Sequence, residues 1–100
     1  MAKKAPTAAE RRYMGRVAGL GCAVCRRLGL GETPALIHHP RAGIGKGMKC
    51  SNYDTIPLCL EHHVGETGVH TLGLKGLFFE MYGFTEQDLQ IDTKQLLNGV

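Results

Sequence analysis

The sequence predicts a small α+β domain held together by a metal ion. Three observations carry that prediction. Helix-capping signals open periodic apolar stretches at both ends of the chain, two short apolar runs read as strands between them, and Cys22-x-x-Cys25 and Cys59-x-x-His62 pair soft ligands across the middle. A chain of 100 residues is one small domain, and such a domain buries only about 60–65% of its unfolded surface. Aromatic residues make up 6%, Trp is absent and Gly reaches 14, so the core is light and calls for a staple.

Residues 1–6 read as a basic, flexible arm, with a single domain over 7–100 and its core over 22–70. Thr7 with Glu10 three residues on is a capping box. Ala9, Tyr13, Val17 and Leu20 then recur at helical spacing, which predicts a helix from about Ala8 to Ala18 that Gly19 and Gly21 end before Cys22. Ala35-Leu36-Ile37 runs into His38-His39-Pro40 and reads as a strand that the proline stops. The stretch from Arg41 to Lys49 sets Gly43, Gly45 and Gly47 among Arg41, Lys46 and Lys49. Glycines there allow close backbone approach and the cations favour a phosphate, although a plain hairpin connection explains the glycines alone equally well.

Thr55-Ile56-Pro57-Leu58 reads as a second strand feeding Cys59. Beyond it, Leu74, Leu77, Phe78 and Met81 repeat with helical period toward the core, and Gly83 sits where a helix would end. Thr85 with Asp88 is a capping signal for a last helix through about Leu97.

Composition narrows the function classes. No apolar run approaches the roughly 18 residues of a membrane span, and Met-Ala-Lys-Lys-Ala-Pro lacks the apolar stretch of a secretory signal. The expectation is a cytoplasmic protein with no membrane partner, where disulfides are disfavoured and four cysteines point first to metal. Charge is divided along the chain: residues 1–50 hold ten Lys/Arg against Glu10 and Glu32, a balance of +8, and residues 51–100 hold Lys75 and Lys94 against seven acids, a balance of −5. The basic half, with Arg11, Arg12 and Arg16 on the first helix, is an electrostatic footprint for a polyanion. A solvated basic face that offsets an acidic tail accounts for the same charges.

Cys22-x-x-Cys25 presents two thiolates from one tight turn, and Cys59-x-x-His62 presents a second pair, with Cys59 34 residues after Cys25. Together they supply the four ligands of a closed tetrahedral zinc site, which would be the missing staple. A thioredoxin-type redox role for Cys22 and Cys25 would need a parallel α/β scaffold that these residues do not form. Cys50 is left over. Of the five histidines, His38, His39, His63 and His70 remain beside that site. Neighbours in a strand point to opposite faces, so one of His38 and His39 can bind a metal while the other faces a substrate.

Ile37-His38-His39-Pro40 followed by Asp54-Thr-Ile-Pro-Leu58-Cys59-x-x-His62-His63 resembles the HNH endonucleases, whose ββα-metal core is two strands and a helix around one divalent cation. The zinc-flanked pattern, the glycine-rich loop and the trailing Gly68-Val69-His70 look like phage Ref-type recombination-enhancement nucleases, which act on DNA together with RecA filaments. The resemblance implies a zinc-stapled HNH domain with an N-terminal helix and C-terminal helices. By position, it makes His38, His63 and His70 ligands of a catalytic Mg2+, Mn2+ or Zn2+, makes His39 the general base, and sets Asp54 in the place of the family's middle Asn, which braces the loop holding the base. It implies DNA and the RecA filament as partners and a bacterial host cell as the setting; the charge of the basic half then makes Arg11, Arg12, Arg16, Arg41, Lys46 and Lys49 the expected contacts to DNA phosphates. The leading function is therefore a metal-dependent DNA endonuclease of low sequence preference. The rival is a zinc-stapled module that binds DNA or the RecA filament without catalysis, which would have no use for an uncommitted His39 beside an open metal site.

Overall fold

The computed structural model describes residues 5–40, 51–74 and 77–98, the side chains of His70, Gly73 and Leu74 excepted. The expected arm before Ala5 and the glycine-rich stretch with Arg41, Lys46, Lys49 and Cys50 lie outside the described residues. Helix α1 spans Ala8–Gly19, and its start is the predicted reciprocal cap: the Thr7 hydroxyl accepts the Glu10 N–H at 3.1 Å and the Glu10 carboxylate accepts the Thr7 N–H at 2.7 Å. Of its apolar stripe only Val17 is fully buried, while Ala9 is exposed. The stripe is narrow because α1 covers one side of a very small core.

Gly21 then turns the chain at φ 79°, a left-handed conformation, and a Cβ there would lie 3.3 Å from the Thr33 carbonyl oxygen. That close approach lets Cys22 N–H donate to the Thr33 carbonyl at 2.9 Å and brings the first thiol inward. Short helix α2, Ala23–Arg27, follows with Cys22 as its N-cap.

Strand β1, Leu36–His38, pairs antiparallel with β2, Ile56–Leu58, with Leu36 opposite Leu58, Ile37 opposite Pro57 and His38 opposite Ile56. Pro57 is tolerated because a two-stranded sheet consists of edges. A 3-10 turn, Asn52–Asp54, leads into β2, and α3, Leu60–Val64, leaves it after Cys59. Two strands and a helix thus follow one another around the middle of the chain. Ile56 and Leu58 have no exposed surface and share the core with Val17, Val24 and Leu89.

The apolar repeat from Leu74 to Met81 does not form one core-facing helix. The chain instead makes α4, Val69–Leu74, and α5, Phe78–Tyr82, with Leu77 as the cap between them. Leu77 is 39% exposed and Met81 53%, and of this repeat Phe78 is the one described side chain that is buried. The sequence disfavours one continuous helix here, since Gly73 and Gly76 each cost about 1 kcal/mol relative to Ala in a helix interior. Gly83 does close α5. Phe78, Tyr82 and Phe84 form a ring cluster with centroids 4.9–5.9 Å apart, and the Arg27 guanidinium sits 5.0 Å over Phe84.

Helix α6, Glu86–Leu97, opens with the expected Thr85–Asp88 capping box. Its buried Leu89 and Thr93 face the core, and three polar ties fix its rotation. Gln90 Nε2 donates to the Asp54 carbonyl at 2.9 Å, Lys94 pairs with the Asp54 carboxylate at 2.6 Å, and Arg27 meets Asp92 in a two-pronged pair at 2.6 and 3.1 Å. The Asp92 hydrogen bond raises the Arg27 pKa further above its ordinary value. The architecture is the α+β class the sequence predicts, with an N-terminal helix, a two-stranded sheet and C-terminal helices. No helix among the described residues is long and apolar enough to cross a membrane.

Leu89 anchors α6 with no exposed surface, so Leu89→Ala should destabilise the fold by about 2–5 kcal/mol. Denaturant unfolding of both proteins measures this, and an unchanged midpoint would mean that α6 is not part of the cooperative core.

Candidate metal centre and histidine site

Cys22, Cys25, Cys59 and His62 come together although the chain between them makes α2, the hairpin and the first turn of α3. All four are buried, and their ligand atoms lie within 4.8 Å of one another. Cys25 Sγ is 3.9 Å from Cys59 Sγ, and His62 Nδ1 is 3.6, 3.4 and 3.2 Å from the sulfurs of Cys22, Cys25 and Cys59. A regular tetrahedron around zinc, with Zn–S about 2.3 Å and Zn–N about 2.0 Å, has S···S edges of about 3.8 Å and S···N edges of about 3.5 Å. The four short spacings are within about 0.3 Å of these edges and no pair is wider than 4.8 Å, so the donor set fits zinc in chemistry and, with a small inward shift of its widest pair, in spacing.

Local structure prepares this cluster. The Cys25 N–H points at Cys22 Sγ at 3.4 Å, the contact that stabilises a thiolate at a helix start. Burial pushes the His62 imidazole below its usual pKa, with the Glu61 charge opposing, which favours the neutral ring that can ligate. Tyr82 packs edge-on to His62 with centroids 6.0 Å apart and anchors its own hydroxyl on the Thr67 carbonyl at 2.7 Å. Gly68 is buried against the end of α3, where a Cβ would come within 2.7 Å of the Glu61 carbonyl oxygen and 2.9 Å of the His62 carbonyl carbon. The glycine of Gly68-Val69-His70 thus allows the chain to double back over the helix that carries His62 and His63. A four-ligand site leaves no open position, so its contribution is to folding.

The strand end builds a second group. His38 is buried at 7% exposure, its Nε2 is 2.6 Å from Glu86 Oε2, and its ring meets that of His63 edge-on at 5.1 Å. His39, the next residue, is half-buried and turns the other way. Its Nε2 is 2.8 Å from Asn52 Oδ1. An amide oxygen only accepts, so His39 Nε2 carries the proton and the lone pair resides on Nδ1. Asn52 is itself held, since its side chain hydrogen-bonds the Glu10 carboxyl. That carboxyl lies below the usual carboxylate range, mainly through the Thr7 backbone and hydroxyl, with Asn52 a smaller contributor.

The structure thus brings His38 to His63 and separates His39 from both, as strand alternation predicts. It does not bring Asp54 to His39. The Asp54 carboxylate pairs with Lys94, and the residue two positions earlier, Asn52, makes the contact to His39. Asn52 was missed because distance along the chain from Cys59 says nothing about direction. The 3-10 turn rotates Asn52 and Asp54 to different sides. The side chain of His70 lies outside the described residues, though its backbone begins α4 beside Val69. Glu86 was also missed, and no local pattern marks it.

The basic residues divide. Arg27 is tied to Asp92, whereas among the described residues no carboxylate pairs with Arg11, Arg12 or Arg16, all exposed on α1. Arg11 and Arg16 rest on the carbonyls of Pro6 and Leu97 at 2.8 Å, contacts that orient a guanidinium without neutralising it. Helix α1 also meets the turn that carries Asn52, through Tyr13 and Tyr53 with ring centroids 5.0 Å apart. Unpaired arginines and the His39 site are therefore borne by packed neighbours.

A Cys3His cluster that could hold a metal lies beside two strands and a helix that bring His38 to His63, the frame of a small α+β domain. Over residues 6–98 the chain matches the family of recombination-enhancement, RecA-dependent nucleases, and it belongs to that family. No curated protein matches the chain.

The purified protein should contain one tightly held zinc per chain at Cys22, Cys25, Cys59 and His62, and Cys25→Ser should unfold it. Elemental analysis with far-UV circular dichroism checks both; zinc-free protein that keeps its fold would remove the cluster from the folding account.

Proposed function

We propose that this chain is a metal-dependent HNH endonuclease that hydrolyses DNA phosphodiester bonds with little sequence preference, working with RecA filaments in recombination in the cytoplasm of a bacterial cell. Residues 7–100 act as one nuclease domain. The observation that carries this reading is the divergence of His38 and His39: one is buried against a carboxylate and a second imidazole, the other is turned outward with its tautomer set by Asn52. A module that only binds DNA has no need for this separation.

Hydrolysis requires a water made nucleophilic, attack on phosphorus in line with the departing 3′ oxygen, and stabilisation of the charge that develops. Nδ1 of His39 accepts the water proton; the P–O3′ bond breaks as the new P–O bond forms, and the 3′ oxygen takes a proton from solvent. A neutral imidazole suits this role near pH 7, where general-base catalysis contributes about 10²–10⁴ in rate. His38 and His63, with His70 as a third ligand, would hold a Mg2+, Mn2+ or Zn2+ ion, which when bound offsets negative charge on the phosphate and the leaving oxygen. Asn52 takes the bracing role that the resemblance gives to Asp54: it holds His39 Nε2–H and leaves Nδ1 as the basic nitrogen. Asp54 instead ties the 3-10 turn to α6.

The arginines of α1, together with Arg41, Lys46 and Lys49, track the DNA backbone. Phosphate contacts of this kind place the duplex without reading its bases, which agrees with low sequence preference.

His39→Ala should retain folding, zinc and DNA affinity but lower plasmid nicking by about 10²–10⁴. His63→Ala should also abolish nicking, and added divalent metal should rescue it in part but not rescue His39→Ala. Asn52→Ala should slow nicking, whereas Asp54→Asn should stay near wild type because an exposed ion pair contributes little. Nicking by His39→Ala at the wild-type rate would overturn the assignment, and wild-type binding without nicking under any divalent metal or RecA condition would leave a binding module.

Neutralising Arg11, Arg12 or Arg16 should weaken DNA binding and flatten the slope of log K against log salt by about one unit per contact. Salt titrations of binding measure this; unchanged slopes would return α1 to a solvated basic face.

A further inference from the structure

Glu86 reaches the histidine site from the far end of the chain, and the nuclease reading does not use it. It is the first residue of α6, 48 positions after His38, and its placement is over-determined. The Thr85–Asp88 box fixes the helix start, Leu89 and Thr93 seat the helix in the core, and Gln90 and Lys94 lock its rotation on Asp54. The result is a carboxylate oxygen 2.6 Å from Nε2 of a histidine whose side chain is 8% exposed.

The distance distinguishes two roles. Two ligands flanking one cation at about 2.1 Å each sit about 3.0 Å apart or more, even at a right angle. A separation of 2.6 Å is instead a direct hydrogen bond between the ring and the carboxylate. The carboxylate accepts, so with the ring neutral the proton is on Nε2 and the lone pair on Nδ1. A ligating histidine commonly gives its other N–H to a carboxylate, which fixes the tautomer and strengthens the ligand.

We propose that Glu86 is a positioning residue for the nuclease site: it holds His38 as the Nε2–H tautomer and so makes Nδ1 the nitrogen offered to the catalytic divalent cation. This rests on the reading of His38 and His63 as ligands of that cation. It also assigns α6 a part in the site, through the same proton placement that Asn52 imposes on His39. Two adjacent histidines are then set to the same tautomer by different partners, one for a metal and one for a proton.

The test uses the full chain loaded with its structural zinc. Long-range ¹H–¹⁵N NMR at mildly alkaline pH, without added cation, should find His38 as the Nε2–H tautomer in wild type and in Glu86→Gln, whose amide oxygen still accepts, and as a tautomer mixture in Glu86→Ala. Titration with Mn2+, followed by electron paramagnetic resonance, should show affinity lowered about 10–100-fold in Glu86→Ala and nearly retained in Glu86→Gln. Zinc content and thermal unfolding confirm that the variants are folded; if Glu86→Ala is not, the NMR and Mn2+ comparison of wild type with Glu86→Gln carries the test. Glu86→Gln that loses Mn2+ as fully as His38→Ala would make the carboxylate a direct ligand and overturn the positioning role. Mn2+ binding weakened by His38→Ala but not by a folded Glu86→Ala, or an unchanged His38 tautomer in that variant, would overturn this inference and leave the nuclease reading standing. Wild type that binds no Mn2+ would overturn the cation site itself.

Discussion

Everything in this domain depends on three thiols and one imidazole meeting in a buried cluster. Cys22 caps α2 and Cys25 lies on it, whereas Cys59 caps α3 and His62 lies on it, so the cluster joins the two halves of the chain at the centre of the fold. The apolar core around it is small: among the described residues Val17, Val24, Ile56, Leu58 and Leu89, with Pro57, are its fully buried aliphatic side chains. Zinc binding in comparable small domains contributes about 10–16 kcal/mol, more than the net stability of most domains. The light composition and the ligand cluster are two aspects of one solution.

With the centre fixed, the periphery is organised by charge. The acidic second half of the chain does not simply offset the basic first half. Asp92 is committed to Arg27, Asp54 to Lys94, Glu61 to Thr67 and Glu86 to His38, each tie holding a helix or turn in place. Among the described residues the arginines of α1 pair with no carboxylate, and they lie on the element that touches the turn bearing Asn52. Four acids of the second half thus tie the scaffold together, while the arginines of α1 lie beside the proposed chemistry.

Legibility followed the range of each signal. Caps are local, so Thr7 with Glu10 and Thr85 with Asp88 marked both long helices, and ligand spacing marked Cys22, Cys25, Cys59 and His62 because two short turns suffice to present them. Strand alternation correctly sent His38 and His39 to opposite sides. The failures lie where direction or distance decides. Asn52 and Asp54 are two residues apart in one 3-10 turn, and only its rotation determines which meets His39. The stripe from Leu74 to Met81 matched a helix in period, but it is divided between α4 and α5. Glu86 comes to His38 across 48 residues, a contact that no window of sequence contains.

His62 and His63 are neighbours on α3, about 100° apart around its axis. One faces the three sulfurs and the other faces His38. A single peptide unit therefore links the two centres, and Gly68 packs down on that same stretch of backbone. The staple is then more than a passive clamp: it acts as a gauge that sets how far the second imidazole reaches. Selection on the zinc cluster and selection on the strand-end histidines would act on one rigid unit. Drift at either centre would have to be matched at the other.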